Sequence, residues 1–219
     1  MNDGGLQYWQ QGGQFEQEND MGRYAKDSGG GNFQQAPIGN HVGRCVHIVD
    51  LGTQHGEYQG QPTARQQVVI TWELPDELME DGLPFIVSAF FTNSLHEKAA
   101  LRSALQNWRG KEFTPDELNG FDLTNVLGKP CMVSVVHTDK GKAKVSAVAA
   151  MPKGIKAKPA VNDSYAYWIE EHDPEVYDKI GPGLKKMIEA SDEWKAMQKD
   201  LDKPPKLGGI PDMDDSIPF

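Results

Sequence analysis

Two cysteines and two histidines are the residues whose types most readily do chemistry, because thiolates and imidazoles are ligands for transition metals. Cys45 and His47 fall in one β-rich stretch of the sequence, and Cys131 and His137 fall in another. Cys131 and His137 are six residues apart, which is roughly 20 Å along a strand at ~3.3 Å per residue. They cannot share one ion, so we interpret all four as core thiols and ordinary histidines and expect neither a metal site nor a cofactor.

Motifs of well-known catalytic sites do not occur in the sequence. The phosphate-binding loop, the serine nucleophile elbow and the zinc-protease signature are all missing, and the pair His96-Glu97 lacks the second histidine of a zinc site. We therefore expect a protein that is not an enzyme.

Aromatic and basic residues are distributed as a nucleic-acid surface requires. An aromatic ring stacks on any base with about 1–3 kcal/mol, and a groove of Lys and Arg follows the phosphates. The predicted DNA-binding residues are Arg44, Tyr58, Arg65, Trp72, Phe90, Lys140, Lys142 and Lys144. Core packing is the alternative for Trp72, because it shares strand parity with Val68 and Ile70. A solvated strand face is the alternative for Lys142 and Lys144.

The elements that position these residues centre on two strands and a helix. Residues 67–74 and 84–92 are β-rich, and turn-forming residues separate them. Ser94 and Glu97 match a capping box for a helix that ends at Gly110. The spacing of its apolar face predicts burial of Leu101, Ala104, Leu105 and Trp108.

The remaining elements give the order three strands, a helix, two strands. Residues 40–51 form a strand whose alternation slips, which indicates a bulge or a strand buried on both sides, and residues 52–63 are predicted to be a loop. Residues 130–137 and 142–149 are two further strands, and the last turns Ala143, Val145, Ala147 and Ala149 inward. Thr114 opens a second capping box. This order predicts a mainly β fold, a five-stranded OB-fold barrel with a helix between strands 3 and 4.

Composition divides the 219 residues into four parts. Residues 1–39 form a Gln/Gly-rich arm predicted to be disordered, and residues 40–155 form the OB-fold domain. Residues 156–199 are a linker with short helices, whose docking the sequence leaves open, and residues 200–219 are a flexible acidic tail. The formal net charge is −10, and its excess acid lies outside the middle part.

The sequence predicts a soluble protein of a reducing compartment. Two cysteines do not make a disulfide framework, no signal peptide is recognisable, and no apolar run reaches the ~18 residues that span a bilayer. We expect no membrane partner.

The last residues form a distinctive motif. Acidic residues stand beside a terminal apolar tripeptide, which gives Asp212, Asp214, Asp215, Ile217, Pro218 and Phe219 as predicted partner-binding residues. This end resembles the acidic C-terminal tip of bacterial single-stranded DNA-binding proteins. The resemblance implies that the tail recruits replication, recombination and repair proteins, with the Phe219 ring in an apolar pocket and the aspartates steering by charge.

Motifs in the central part carry a second resemblance. The segments 72–76, 92–98, 101–102, 108–110, 120–123 and 127–129 resemble the OB-fold single-stranded DNA-binding proteins of tailed bacteriophages. The resemblance covers about residues 40–155 and implies a phage protein, in the cytoplasm of the infected bacterial host, that coats single strands during DNA replication and recombination. It leaves a homo-oligomeric state open.

The leading hypothesis is therefore a sequence-independent single-stranded DNA-binding protein. One alternative is a protein-interaction adaptor whose barrel binds protein. Another is an annealing or recombination mediator with some duplex binding.

Overall fold

A computed structural model describes residues 34–201 of the chain. Its elements are β1 (Gly39–Tyr58), β2 (Gln61–Leu78), β3 (Pro84–Thr92), α1 (Ala100–Arg109), α2 (Pro115–Asn119), a 3₁₀ turn (Leu123–Val126), β4 (Pro130–His137), β5 (Ala143–Ala149), β6 (Tyr165–Tyr167), α3 (Pro174–Lys179), α4 (Pro182–Ala190) and α5 (Asp192–Leu201). Within these residues, no helix has the length and apolar character needed to cross a membrane.

The strands form one open sheet of six strands in the order β3-β2-β1-β4-β5, with β6 attached to β1. The neighbours along that path are antiparallel, whereas β6 runs parallel to β1. The prediction of a mainly β protein with a helix between the third and fourth strands is confirmed. β3 and β5 are the two ends of the path.

The first two strands form a long hairpin where the sequence predicted a loop at residues 52–63. Thr53 pairs with Gln66, and the pairing continues to Tyr58 opposite Gln61. Gln59 and Gly60 form the two-residue turn with φ of 51° and 75°, the positive values that suit the twist of a tight hairpin. The loop prediction was wrong. The predicted slip in the first strand is confirmed as two register shifts in β1.

The main core lies between the sheet and α1. Leu101, Leu105 and Trp108 are buried on one helical face, as their spacing predicts, and the indole of Trp108 donates to the carbonyl of Pro130 at 2.9 Å. Gly110 ends α1, as predicted, and adopts the left-handed conformation with φ of 67°.

One predicted helix cap is wrong and the other is confirmed. α1 begins at Ala100 without a side-chain cap, because the Ser94 hydroxyl accepts a turn hydrogen bond from the N–H of His96 at 3.2 Å instead. At Thr114, both hydrogen bonds of the capping box are present.

A bulge changes which residues of β5 face inward. Ser134 pairs with Ala147, but the adjacent Val135 pairs with Val145, so Ser146 is the extra residue. Alternation therefore restarts at the bulge, and Val148 is buried while Ala147 and Ala149 are exposed. The predicted inward orientation of Ala147 and Ala149 was wrong.

The C-terminal helices dock on the sheet through a second core. The sheet contributes Val49, Leu51 and Val69, and the segment beyond residue 164 contributes Tyr167, Ile169, Ile180 and Ile188.

Residues 34–39 belong to the folded domain, although the sequence assigned them to a disordered arm. Ala36 is 3% exposed in the main core, and its carbonyl accepts from the His137 ring at 2.8 Å. The arm upstream of residue 34 and the tail beyond residue 201 lie outside the described residues.

Candidate nucleic-acid interface

The tip of the β1–β2 hairpin presents an aromatic ring beside a cation. Tyr58 is 60% exposed, and the guanidinium carbon of Arg65 lies 6.0 Å from the centre of its ring. Tyr58 pairs with Gln61, and side chains four residues apart on a strand point to the same face. Tyr58 and Arg65 therefore share one face of the hairpin, as a base-stacking and phosphate-binding pair requires.

An exposed phenylalanine on β3 lies on the same side of the sheet, beyond a buried residue of β2. Arg65, Gln67 and Val69 alternate along β2, and Val69 pairs with Phe90, which is 53% exposed. Eight residues of β2 separate the partners of Tyr58 and Phe90, which corresponds to about 26 Å at ~3.3 Å per residue. The two exposed rings therefore point to the same side of the sheet, but Val69 between them is buried in the second core. The accessible residues between the rings are the pair Gln67 and Thr92.

Phe90 also borders a cleft between the two edge strands of the sheet, β3 and β5. This cleft has a volume of about 500 Å³ and lies between β3, α1 and β5, with Phe90, Phe91 and Lys144 among its lining residues. The structure thus brings the predicted pair Phe90 and Lys144 to one site, although β3 and β5 are far apart in the sequence.

The other two predicted lysines lie close to Lys144 in the sequence, in the turn that precedes β5. Lys140 and Lys142 are exposed in the turn between β4 and β5, and Lys144 follows on β5. No acidic side chain of the described chain forms an ion pair with these three ammonium groups. They remain available for phosphate oxygens.

Two predicted contacts are not on this surface. Trp72 is 1% exposed, with its ring 5.8 Å from that of Trp108, so it belongs to the core and cannot stack on a base. The guanidinium of Arg44 donates to the carbonyls of Gly128 at 2.7 Å and Lys158 at 3.0 Å. Arg44 therefore holds two loops, and its contact with DNA stays a prediction, whereas the assignment of Trp72 is corrected.

Two polar residues between the two exposed rings were missed by the sequence analysis. Gln67 and Thr92 pair across β2 and β3, and Gln67 has the same parity as Arg65. Their side chains can donate to or accept from a base or a phosphate. The parity of β2 is the signal that could have found Gln67.

The two faces at the base of the hairpin differ in charge. Gln66 has the opposite parity to Arg65 and Gln67 and borders a cavity of about 430 Å³. The acidic residues lining that cavity are Asp50, Asp122, Glu170 and Glu171. Because these carboxylates repel phosphates, the face of Tyr58 and Arg65 is the favoured one for a nucleic acid.

Both cysteines are buried as free thiols. Burial raises the pKa of the Cys45 thiol to about 12 and raises the pKa of Cys131 as well, so the reactive thiolates are scarce at neutral pH. Within residues 34–201, no cluster of three or more His, Cys, Asp or Glu side chains is placed to hold a metal ion.

Comparisons with protein-family models, with characterised proteins and with solved structures find no match to this chain.

Proposed function

We propose that this protein binds single-stranded DNA without sequence preference and has no catalytic activity of its own. The observation that carries the proposal is the placement of two exposed aromatic rings, Tyr58 and Phe90, on one face of the sheet. Arg65 lies on the same face, and Lys144 borders the cleft beside Phe90. Exposed rings interspersed with unpaired cations are the features that let a protein follow a single strand.

The topology supports an OB-type arrangement for this site. An OB-fold is a partly open Greek-key barrel, and it binds oligonucleotides on the face of its strands 2 and 3 and in the adjoining loops. Here the order β3-β2-β1-β4-β5 leaves β3 and β5 as the ends of the sheet, and both line one cleft. The proposed surface consists of β2, β3, the β1–β2 hairpin and the β4–β5 turn, which are the corresponding elements.

Binding would combine stacking with charge neutralisation. Each stacked base contributes about 1–3 kcal/mol whatever its identity. Each neutralised phosphate of a single strand adds about −0.7 to the slope of log affinity against log salt. No side chain in this mechanism needs to read a base edge, so the protein coats and protects strands of any sequence.

The acidic tail completes the proposal as a recruiting element. Asp212, Asp214 and Asp215 would steer a partner, and Phe219 would fill its apolar pocket. We place the protein in phage DNA replication and recombination, in the cytoplasm of the infected host. A tethered acidic tail also competes with DNA for the basic face, at an effective concentration on the order of millimolar.

Ultraviolet crosslinking of the full chain to oligo-dT, followed by peptide mapping, tests the location of the site. We expect crosslinked thymidine on Tyr58 and Phe90. Crosslinks that map only to other parts of the chain contradict the proposed face. Failure to crosslink or to retain oligo-dT at any salt concentration overturns DNA binding and favours the protein-interaction adaptor.

A further inference from the structure

The free edge of β1 near the hairpin is covered by helices. β4 pairs with residues 39–44 of β1, and β6 pairs with residues 47–49. From residue 52 onward, no strand of the described chain pairs with that edge. The junction of α4 and α5 lies there instead, which protects backbone groups that an exposed edge would offer to other chains.

Glu193 at the start of α5 makes the central contact of this junction. One of its carboxylate oxygens accepts from the backbone N–H of Thr53 at 2.6 Å, and the other accepts from the Thr53 hydroxyl at 2.7 Å. A carboxylate that receives two hydrogen bonds from one residue fixes the position and the orientation of that residue.

Gly52 shows how closely the helices approach the strand. Its φ is +64°, and a Cβ at this position would lie 2.6 Å from both the Glu193 carboxylate and the Cβ of Ser191. Any other residue would strain the backbone and displace the helix junction. The contact between β1 and α5 is therefore tight at the base of the hairpin.

Two weaker contacts follow along the strand. The side-chain amide of Gln54 donates to the carbonyl of Met187 at 2.9 Å. The His55 ring lies 2.8 Å from the carboxylate of Asp192, but both side chains are more than half exposed, so this pair contributes little.

Beyond residue 55 the hairpin consists of two strands alone; Tyr58 lies on this part, and Arg65, which pairs with Gln54, lies where it begins. An isolated two-stranded hairpin is only marginally stable in water, so the position of its tip depends on how its base is held. We propose that Glu193 is a positioning residue for DNA binding: by holding Thr53 it fixes the hairpin that presents Tyr58 and Arg65 to the strand. This inference rests on the proposed function.

The test measures oligo-dT affinity of full-length variants by fluorescence anisotropy. Ordering each flexible side chain on binding costs about 0.5–1.5 kcal/mol, so Glu193→Ala should weaken binding about tenfold. Glu193→Gln keeps an oxygen for the Thr53 N–H and should restore most of the affinity. Glu189→Ala is the control, because its carboxylate accepts from the Tyr177 hydroxyl on α3 at 2.9 Å and lies outside the hairpin contact.

Combined variants separate positioning from general destabilisation. In a background with both Tyr58→Ala and Arg65→Ala, Glu193→Ala should have little further effect, because the two residues that it positions are gone. In a Phe90→Ala background, the full tenfold loss should remain. Equal losses in both backgrounds, or unchanged affinity of Glu193→Ala, overturn the inference and leave the proposed function standing.

Two further arms complete the test. If thermal melting shows that Glu193→Ala is unfolded at the assay temperature, Thr53→Val is measured instead. This variant replaces the Thr53 hydroxyl by a methyl group, and its oligo-dT affinity is expected to be about threefold weaker. A wild-type chain that does not bind oligo-dT overturns the proposed function, and the inference with it.

Discussion

The guanidinium of Arg65 lies beside the ring of Tyr58 at the tip of the β1–β2 hairpin, with its carbon 6.0 Å from the ring centre. The cation orients the ring, and the ring keeps the guanidinium on the same face of the hairpin. The exposed remainder of the ring is then available to a base, with a positive charge within reach of the adjoining phosphate.

The two exposed aromatic residues should carry most of the stacking energy. Tyr58→Ala and Phe90→Ala are each expected to weaken oligo-dT binding by about 5- to 100-fold, which corresponds to the ~1–3 kcal/mol of one stacked base. Ile155→Ala, which changes an apolar side chain that is 48% exposed outside the proposed face, is the matched control. Losses no larger than that of Ile155→Ala, measured by anisotropy, would show that neither ring stacks.

The lysines of the β4–β5 turn should determine part of the salt dependence. Replacing Lys142 and Lys144 by Gln is expected to weaken binding and to reduce the slope of log affinity against log salt by about 0.7 for each phosphate contact removed. The same substitutions at the exposed Lys153 and Lys156 alter the net charge equally and serve as the control. Equal changes of slope in the two double variants contradict a local phosphate contact.

Removal of the acidic tail should strengthen DNA binding while it abolishes partner recruitment. A chain that ends at Pro211 lacks Asp212, Asp214 and Asp215, so it has no tethered anion to compete with phosphates. The gain is expected to be largest at low salt, because exposed charges are screened within about 10 Å at 0.1 M salt. Affinity that is the same with and without the tail at every salt concentration rules out the competition.

The buried carboxylate of Glu73 should be important for stability. It is 0% exposed and accepts from the backbone N–H groups of Val161 and Asn162, both at 2.8 Å. Glu73→Ala leaves these donors unpaired and is expected to lower the free energy of unfolding by about 2–4 kcal/mol. Chemical denaturation measures the loss, with the exposed Glu112→Ala as control. A loss similar to that of the control would show that the linker at residues 161–162 does not depend on Glu73.

Sequence patterns predicted the elements that have a buried face. The face of Leu101, Leu105 and Trp108 was predictable because each of these side chains packs on the same core. The hairpin was missed because its outer part is exposed on both sides, so its residues carry no hydrophobic alternation. Gln59-Gly60 was the local signal for its turn, since both residues adopt positive φ.

Long-range contacts explain the incorrect and missing site predictions. Phe90 and Lys144 were predicted independently, on separate strands. They line one cleft because β3 and β5, the two edge strands of the sheet, both border it. Trp72 was assigned to DNA because its strand position does not reveal the ring of Trp108 that it packs against, and the position of Arg44 likewise does not reveal the carbonyls that it binds. The contact between Thr53 and Glu193 joins residues 140 positions apart, which no local pattern predicts.

Single-strand binding is tested most simply by an anisotropy titration of labelled oligo-dT with the full-length chain, at several salt concentrations and with duplex DNA as competitor. A labelled oligonucleotide is preferable to intrinsic fluorescence because Trp72 and Trp108 are buried in the core. We expect tight binding that weakens with salt and that excess duplex does not displace. Absence of binding, or equal displacement by duplex, would show that this face does not hold a single strand.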